Sequence, residues 1–374
     1  MNAPSVVVTG TGAFSADLVR ALARSPHPLR LHVLSRRPDR ARDLAALAGD
    51  HAFLAGGRTV CTAGHLDPHD AEQPRRLLAA LRPDVLVVAG SEQSPAEART
   101  TPSAWTDLLS RAGFGLTLPL QTAMATNLAR ACAEASPDTT VVNACFPDAV
   151  NPLLHAAGLP VACGLGNVAT LAAALSARLA LPDQQRLHLL AHHAHLHAPA
   201  DQDLDAQGWL DGAPLTGLRS LLEPVRARPR QHLNETGATT GAAAIAALAG
   251  SGPTYTGHLP GPNGLPGGYP VTVGHRDVRL RLPAGLTREQ AVAWNLRRAE
   301  LDGASVEPGG AVRLMPTALA ALRVHWPDAP GVYDHHELGS VREQLLQLRA
   351  RLRRLRVPTA PERPAARRPS RSAP

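Results

Sequence analysis

At 374 residues, the chain is longer than the roughly 250–300 residues that one hydrophobic core can serve, so two lobes are expected. Its content of 44% hydrophobic and 18% charged residues excludes wholesale disorder. All 38 basic residues are arginine, and the absence of lysine excludes a Schiff-base lysine, a pyridoxal-phosphate anchor and a Walker-type phosphate loop.

The positive charge is concentrated at the carboxyl end. The formal net charge is +7, but residues 342–374 hold ten arginines and only two glutamates, a net of +8, which leaves the rest of the chain with a net of −1. A near-neutral body gives no electrostatic reason to bind nucleic acid. Nucleic acid is therefore not expected as a partner, except through the arginine-rich tail.

The cysteines and the first residues indicate a cytoplasmic protein. The four cysteines show no CxxC spacing, and the chain is too long for a disulfide-held scaffold, so reduced thiols are expected. The chain begins without the charged segment of an export signal, and no apolar run approaches the roughly 18 residues of a membrane helix. We therefore expect no association with a membrane.

The first half of the chain alternates between strand-like and helix-like segments. Residues 6–8 form a β-branched run that ends at Gly10, and apolar residues at helical spacing follow. Later strands are expected at 29–34, 85–88 and 140–142, and helices at 39–48, 74–81 and 105–135. This alternation predicts an α/β fold with a doubly wound parallel sheet covered by helices on both faces.

An α+β lobe is expected from about Cys163 onward. Its predicted elements are helices at 169–180, 239–248 and 287–301, a strand at 186–197, a loop at 259–270 and a hairpin at 271–282. A last helix carries one stripe of leucines at 345, 348, 352 and 355, with arginines on its other faces. Such a stripe is typical of docking or self-association, so a homo-oligomer is expected.

A glycine-rich turn follows the first strand and opens the first helix. Gly10 would permit a tight turn, Gly12 would let the backbone approach a pyrophosphate, and the helix start would offer free N–H groups. The third small position is Ser15 rather than glycine, and a purely structural turn is the alternative. The context predicts a dinucleotide bound at Gly10, Gly12, Ala13, Phe14 and Ser15.

The end of the second predicted strand favours NADP over NAD. An acidic residue there would bind ribose hydroxyls and repel a 2′-phosphate, but the chain reads Ser35-Arg36-Arg37. A hydroxyl and two guanidinium groups suit that phosphate. Solvated arginines before a helix are the alternative interpretation.

A long polar loop, residues 90–99, follows the fourth predicted strand, and such loops are often mobile lids. It resembles the G-x-x-Q-x-P-G-E-x-R loop of the lactate/malate dehydrogenase-like superfamily, with matches at Gly90, Gln93, Pro95, Glu97 and Arg99. The resemblance implies that Gly90 lies at the cofactor, Gln93 reads the substrate side chain and Arg99 polarises its carbonyl. A solvated surface arginine is the alternative for Arg99.

The resemblance covers roughly residues 5–303 and implies a Rossmann domain followed by the family's substrate domain. His193 looks like the catalytic histidine, although the Glu and both Gly residues of its G-E-H-G motif are missing. Thr239 lies in a segment, residues 235–240, that looks like the one closing the substrate pocket. Phe146 replaces a substrate-facing asparagine of the family.

Two further departures change the expected substrate. Thr170 stands where the family has the aspartate that orients its histidine, and Ala173 stands where it has the arginine that grips a carboxylate. Without that arginine an anion would be left unpaired in a dry pocket, so a simple 2-hydroxy acid is not expected. The groups that we expect to orient His193 instead are Asp148, Asn151 or His195.

The histidine cluster at residues 192–197 raises a metal hypothesis. On a strand, His193, His195 and His197 would share one face, but no further cluster of ligands is evident nearby, and we predict no metal site. The related NAD-dependent family-4 glycosidases bind a metal through a G-L-C-H motif, and Gly166 and Asn167 stand at its Cys and His. A glycosidase-like enzyme is therefore a distant alternative.

The sequence thus predicts an NAD(P)-dependent oxidoreductase that transfers a hydride between the cofactor and a carbonyl/hydroxyl or imine substrate. A noncatalytic, degenerate dehydrogenase-like protein that binds a nucleotide or a partner is the main alternative. The predicted organisation is a dinucleotide-binding domain at 1–163, a substrate domain at 164–340, a basic amphipathic helix at 341–357 and a disordered tail at 358–374.

Overall fold

Six parallel strands form the central sheet of the amino-terminal lobe. In the computed structural model, which describes residues 3–355, the strand order is β3-β2-β1-β4-β5-β6, the order of doubly wound dinucleotide-binding sheets. The predicted α/β fold with a Rossmann-type sheet is confirmed. The strands are β1 (Ser5–Thr9), β2 (Arg30–Ser35), β3 (Val60–His65), β4 (Val85–Val88), β5 (Thr140–Asn143) and β6 (Cys163–Gly164).

Helices connect these strands and cover both faces of the sheet. β1 and β4 are buried along their whole length, which explains their continuous apolar runs. The edge strand β3 was not predicted, because its half-exposed residues mix small, polar and apolar types. The helices are α1 (Ala13–Ala23), α2 (Pro38–Leu54), α3 (Gln73–Leu81), α4 (Glu97–Thr100), α5 (Ala104–Ala112), α6 (Leu118–Ala135) and α7 (Pro147–Ala156).

The helix predicted over 105–135 is broken in the structure. Gly113 has a φ of +87°, which ends α5, and a short 3-10 helix, Phe114–Thr117, precedes α6. A left-handed backbone at this point is accessible to glycine at little cost. The break turns Phe114 out of the helical register and toward the second lobe.

The second lobe is α+β, as predicted. It contains two three-stranded antiparallel sheets, β7-β8-β9 and β10-β11-β12. The elements are α8 (Val168–Arg178), β7 (Leu187–Leu190), β8 (Gln207–Leu210), β9 (Ala213–Pro214), α9 (Leu218–Arg226), α10 (Arg230–Leu248), β10 (Tyr255–Pro260), β11 (Gly268–Gly274), β12 (Asp277–Leu280) and α11 (Arg288–Ala299).

Two segments of this lobe differ from the prediction. The strand expected over 186–197 ends at Leu190, and residues His193–Leu196 form a 3-10 helix. The backbone N–H of His192 donates to Nδ1 of His195 at 2.7 Å, which stabilises the turn. Both ends of the loop expected at 259–270 belong to strands, β10 and β11, despite their glycine and proline content.

The carboxyl-terminal segment packs on the amino-terminal lobe. Leu345, Leu348 and Leu352 are buried in one cluster with Leu86 and Trp105. The predicted substrate domain of 164–340 is therefore not one packing unit, because its last part joins the first lobe. The elements of the segment are β13 (Ala304–Val306), β14 (Val312–Leu314), α12 (Pro316–Arg323), β15 (Val332–Tyr333) and α13 (Leu338–Leu352).

The basic helix predicted at 341–357 corresponds to α13, which begins earlier and ends at Leu352. Three leucines of its stripe fill the interior of the chain, which leaves Leu355, 53% exposed, outside the core. The stripe therefore gives no separate support for self-association. The tail predicted at 358–374 lies outside the described residues. Within residues 3–355, no helix combines the length and apolar character needed to cross a bilayer.

Candidate active site

The glycine turn after β1 has the geometry expected of a pyrophosphate-binding loop. Gly10 has a φ of +98°, and a Cβ there would lie 2.9 Å from the carbonyl oxygen of Ala89, so only glycine fits. Gly12 caps α1, and a Cβ on it would meet nothing within 4 Å. The open space at Gly12 therefore faces the unbonded N–H groups of the first helical turn, a suitable site for an anion.

The other residues of the turn bring it against neighbouring elements. The buried Ser15 hydroxyl donates to Ala89 O at 3.0 Å, so this side chain joins α1 to β4, and only its backbone N–H remains available at the helix start. The ring of Phe14 lies against Gly166 and Gly237 of the second lobe. Ala13 contributes the first N–H of α1.

Gly90, at the end of β4, touches the same turn. A Cβ on Gly90 would lie 3.0 Å from Cε of Met124 and 4.0 Å from Cα of Gly10. The two glycines thus meet at the carboxyl edge of the sheet, where ligands of doubly wound folds bind.

The end of β2 carries positive charge and no acidic residue. The hydroxyl of Ser35 lies 3.4 Å from Oγ1 of Thr11 and accepts from the backbone N–H of Arg37 at 3.2 Å. The side chains of Arg36 and Arg37 are exposed, and neither forms a salt bridge within residues 3–355. These groups fit a phosphate ester, and residues 35–37 themselves carry no carboxylate that would repel it.

His193 forms the centre of the candidate site. Its Nδ1 lies 2.9 Å from Oδ1 of Asp302, and its side chain is 18% exposed. The imidazole is stacked on Phe114, with ring centroids 5.1 Å apart, and meets the edge of Phe146 at 5.0 Å. Two aromatic rings and one carboxylate therefore fix the orientation of His193.

Asp302 was missed by sequence reasoning, which named Asp148, Asn151 and His195. It lies in the 3-10 helix Glu300–Asp302 that follows α11, and no motif marks it. An ionised carboxylate can only accept, so Nδ1 of His193 carries the proton, and Nε2 forms no hydrogen bond within residues 3–355. The carboxylate-imidazole pair expected from the resemblance is thus present, with an acid from a different part of the chain.

Asp302 also binds the neighbouring His192. Its Oδ2 lies 3.0 Å from Nδ1 of the fully buried His192. Burial alone would raise the pKa of Asp302, but the charge of His193 and the hydrogen bonds from both histidines hold it well below its usual range. Burial lowers the pKa of His192, yet the hydrogen bond to Asp302 and the charge of Asp148 raise it overall. Asp302 is therefore ionised and stabilises protonated imidazole.

The three groups expected to orient His193 have other partners. Burial raises the pKa of Asp148, whose Oδ2 accepts from the amide of Asn167. Asn151 binds Asn143 and the carbonyl oxygen of Gly261. Burial lowers the pKa of His195 to about 4, and its Nε2 lies 2.8 Å from Leu204 O, so His195 is a neutral structural residue.

The side chain of Gln93 has partners within the chain. It is 1% exposed, and its amide nitrogen donates to Glu97 Oε2 at 2.9 Å and to Ser94 O at 3.1 Å. Its amide oxygen accepts from Nε1 of Trp105 at 3.0 Å. Every polar side-chain atom of Gln93 is thus bonded inside the chain, and its contact with a substrate stays a prediction.

Arg99 lies on the short helix α4 and is exposed. Burial and then the charge of Arg99 lower the pKa of Arg230, the first residue of α10. Arg230 in turn contributes to the lowered pKa of His197, after burial and the charge of His193. Neither Arg99 nor Arg230 forms a salt bridge within residues 3–355. Arg99 and Arg230 are therefore two guanidinium groups without carboxylate partners in residues 3–355, and the charge of Arg99 acts on Arg230.

Thr239 and Thr170 lie apart from this constellation. Thr239 is exposed on α10, donates to Glu235 O at 2.9 Å, and lines a cavity of about 550 Å³ shared with Arg24 and Tyr255. Gly237, two residues earlier on α10, faces Phe14 and Gly166, so Thr239 lies on a different side of the helix. Thr239 therefore does not join the site around His193. Thr170 is buried in α8 against Gly237.

The geometry also removes the basis for the metal hypothesis. His193, His195 and His197 do not share a strand face, because the chain forms a 3-10 turn there. In the described part of the chain, no group of three or more His, Cys, Asp or Glu side chains is arranged to hold a metal ion. The cysteines are free, and burial raises the pKa of Cys132 to about 11 and of Cys145 and Cys163 to about 12.

Comparison with known proteins shows the fold. No family model and no curated protein matches the sequence. Among solved structures, the malate dehydrogenase of Salinibacter ruber aligns with a TM-score of 0.53 at 14% identity, covering 87% of this chain and 99% of its own. The malate dehydrogenase of Archaeoglobus fulgidus, solved in complex with NADH, aligns with a TM-score of 0.52 at 14% identity, covering 80% of this chain and 97% of its own. The malate dehydrogenase of Aeropyrum pernix aligns with a TM-score of 0.50 at 15% identity, covering 79% of this chain and 97% of its own. The chain therefore has the fold of malate dehydrogenases, in a divergent form.

Proposed function

We propose that the protein is an NAD(P)-dependent oxidoreductase, with NADP favoured, that acts on a carbonyl/hydroxyl or imine substrate other than a simple 2-hydroxy acid. The observation that carries this proposal is the His193–Asp302 pair, at 2.9 Å, in a fold shared with dehydrogenases. A buried carboxylate that binds one imidazole nitrogen leaves the other free for proton transfer. The substrate is a small molecule.

The residues at the carboxyl edge of the sheet fit a nicotinamide dinucleotide. Gly10, Gly12 and the first N–H groups of α1 would hold the pyrophosphate, and Arg36 and Arg37 would hold a 2′-phosphate. When bound, the cofactor supplies the hydride chemistry.

His193 moves the proton in this proposal. With Nδ1 bonded to Asp302, Nε2 gives a proton to a substrate oxygen or nitrogen during reduction and accepts one during oxidation. The Phe114 and Phe146 rings cover part of the imidazole and keep its plane fixed. Asp302 stabilises the imidazolium that forms when His193 accepts a proton.

Arg99 and Arg230 define the charge of the substrate. The charge of Arg99 acts on Arg230, and neither forms a salt bridge in residues 3–355, which supports the proposal that both guanidinium groups are available to an anionic substrate. Arg99 polarises the reacting oxygen, and Arg230 binds an anionic group of the substrate, in place of the arginine absent at Ala173. We therefore propose that the substrate is an anionic carbonyl or imine compound. Its anionic group is placed differently from the carboxylate of a simple 2-hydroxy acid.

The decisive experiment combines cofactor titration with turnover. Fluorescence quenching by NADPH and by NADH measures binding, and a panel of anionic carbonyl and imine compounds then tests cofactor oxidation by the wild type, Arg99→Ala and His193→Ala. Turnover that both variants lose, with NADPH affinity retained, supports the proposal. Failure to bind either nicotinamide cofactor would remove it.

A noncatalytic nucleotide-binding protein is the second candidate. The observation in its favour is that Gln93 is bonded inside the chain, while Thr170 and Ala173 lack the groups that the resemblance calls for. Cofactor binding without turnover on any compound of the panel would favour it.

A further inference from the structure

The loop of residues 90–100 is anchored to the core of the amino-terminal lobe. The backbone N–H of Glu92 donates to Leu120 O at 3.1 Å, and the amide of Gln121 donates to Gln93 O at 3.0 Å. Trp105 adds its bond to Gln93. A segment expected to be a mobile lid is therefore held from below by α5 and α6.

The helix α13 covers the same loop from the other side. Arg342, Arg349 and Arg353 occur at i, i+7 and i+11, so they lie along one face of the helix, beside its buried apolar stripe. The apolar stripe packs into the core, and the arginine stripe faces the loop. The residues of the apolar stripe are Val341, Leu345, Leu348 and Leu352.

The arginine stripe contacts both acidic residues of the loop. Arg342 binds the two carboxylate oxygens of Glu92 at 2.5 Å each, and Arg353 binds both oxygens of Glu97 at 2.6 Å each. Arg349 donates to the backbone carbonyl of Glu92 at 2.6 Å. Each carboxylate is thus held by a bidentate pair, the geometry that fixes position most strongly.

These contacts are needed for the charges of the loop to be tolerated. The side chains of Glu92 and Glu97 are only 11% and 8% exposed, and a carboxylate buried without a partner is strongly unfavourable. Burial would raise the pKa of Glu97, but the hydrogen bond and charge of Arg353 lower it overall. The imidazole of His69 also contacts Glu92, with 3.2 Å between its Nε2 and Oε1 of the carboxylate.

We propose that Arg342, Arg349 and Arg353 are positioning residues for the loop of residues 90–100: through Glu92 and Glu97 they hold α4, and with it Arg99, in place. The catalytic part of this inference rests on the proposed role of Arg99. The basic face of α13 thus serves an intramolecular function.

Hydrogen exchange of the full chain, without substrate or cofactor, tests the positioning directly. In the triple variant Arg342→Ala/Arg349→Ala/Arg353→Ala, amides of residues 91–101 should exchange at least tenfold faster, while those of β1 and β4 keep their protection. Arg354→Ala is the matched control, because this exposed arginine lies in the turn directly after α13 and contacts neither Glu92 nor Glu97. Unchanged exchange of the loop in the triple variant would overturn the proposal.

Single variants keep the test valid if the triple variant unfolds. Arg353→Gln should accelerate exchange of the loop, Arg353→Lys should restore part of the protection, and Arg353→Gln should have no further effect in a Glu97→Gln background. Independent, additive effects of the two substitutions would overturn the pairing.

Turnover tests the catalytic part separately. For whichever compound is reduced, the triple variant should lower kcat at least tenfold, while its NADPH affinity stays within twofold of the wild type. A loosened loop with unchanged kcat and KM would overturn the link to Arg99. If no compound is turned over, the exchange results still decide the positioning, and the proposed function alone fails.

Discussion

Asp302 and His193, separated by 109 residues in sequence, form a 2.9 Å hydrogen bond in which the carboxylate is buried and the imidazole is partly open to the site. The carboxylate comes from the end of α11 and the imidazole from the turn after β7. The pair is therefore assembled by the tertiary fold of the second lobe, and its consequences can be measured.

Removing the carboxylate should impair catalysis without impairing cofactor binding. Asp302→Asn keeps the shape of the side chain but offers a mixed donor and acceptor to Nδ1 of His193, so the imidazole loses its fixed tautomer. For any compound the wild type reduces, we expect kcat to fall about 10²–10⁴-fold, similar to His193→Gln. The control is His232→Gln, an exposed histidine of α10. Equal activity of Asp302→Asn and wild type would show that the pair has no catalytic role.

The same substitution should change the pH dependence of stability. The folded-state pKa of Asp302 is lowered, so its stabilisation exists above its unfolded pKa of about 3.9 and is lost as the pH falls. The folded-state pKa of His192 is raised, so its stabilisation exists below about pH 6.5 and is lost as the pH rises through the folded value. Between these two pH limits, the free energy of unfolding of the wild type should exceed that of Asp302→Asn by roughly 3–5 kcal/mol. Below and above them the difference should be smaller.

Denaturant unfolding at pH 3, 5.5 and 8.5 checks this prediction. The exposed turn residue Asp138, replaced by asparagine, is the control and should give a small difference at each pH. A constant gap between wild type and Asp302→Asn at all three values would contradict the coupling of Asp302 to the histidines.

Two arginines after β2 should distinguish the cofactors. The double variant Arg36→Ser/Arg37→Ser removes both guanidinium groups, so we expect NADPH to bind about 10–100-fold more weakly and NADH to change by less than about threefold. Arg40→Ser/Arg42→Ser, on exposed positions of α2, is the matched control for charge. Equal weakening of both cofactors, or of NADPH in the control, would count against phosphate recognition at Arg36 and Arg37.

Backbone packing beside Asp302 should be as important as its side chain. Gly303 has a φ of +85°, and a Cβ on it would lie 1.9 Å from Ala112 O; a Cβ on Gly113 would lie 2.3 Å from Asp302 O. Gly303→Ala should therefore cost several kcal/mol and separate Asp302 from His193. Gly285→Ala is the control, because Gly285 has a φ of +83° with nothing within 4 Å, so it measures backbone strain alone, roughly 1–2 kcal/mol.

Chemical denaturation of the two alanine variants gives the comparison, and the imidazole resonances of His193 report whether the pair survives. Equal destabilisation by Gly303→Ala and Gly285→Ala would show that the close backbone contact carries no energy of its own.

Local patterns predicted the parts of the fold that are determined locally. The apolar run of β1, the turn at Gly10 and Gly12 and the helix after it are contiguous in sequence, and the structure contains them. The break at Gly113 was missed because helical periodicity continues on both sides of it, and only contact with Asp302 of a distant segment makes a glycine necessary.

The candidate site was predictable only where the resemblance supplied a position. The resemblance pointed to His193, whose catalytic role stays a prediction, but it could not point to Asp302. The family's aspartate would stand at Thr170, whereas Asp302 lies after α11 in a different part of the chain. Gln93 matched a motif, yet its amide is bonded to Glu97 and Trp105. A match to the spacing of a family motif does not specify whether a polar side chain faces a ligand or bonds within the chain.

The position of Asp302 also limits how this chain can be divided. Gly303 follows it, and Ala304 already begins β13, the first strand of the segment that carries α13. A boundary drawn between Asp302 and β13 would thus cut beside the residue that orients His193. The segment from β13 to α13 should therefore not be exchanged or deleted as a separate module, and a chimera should place its junction after α13 or before α11.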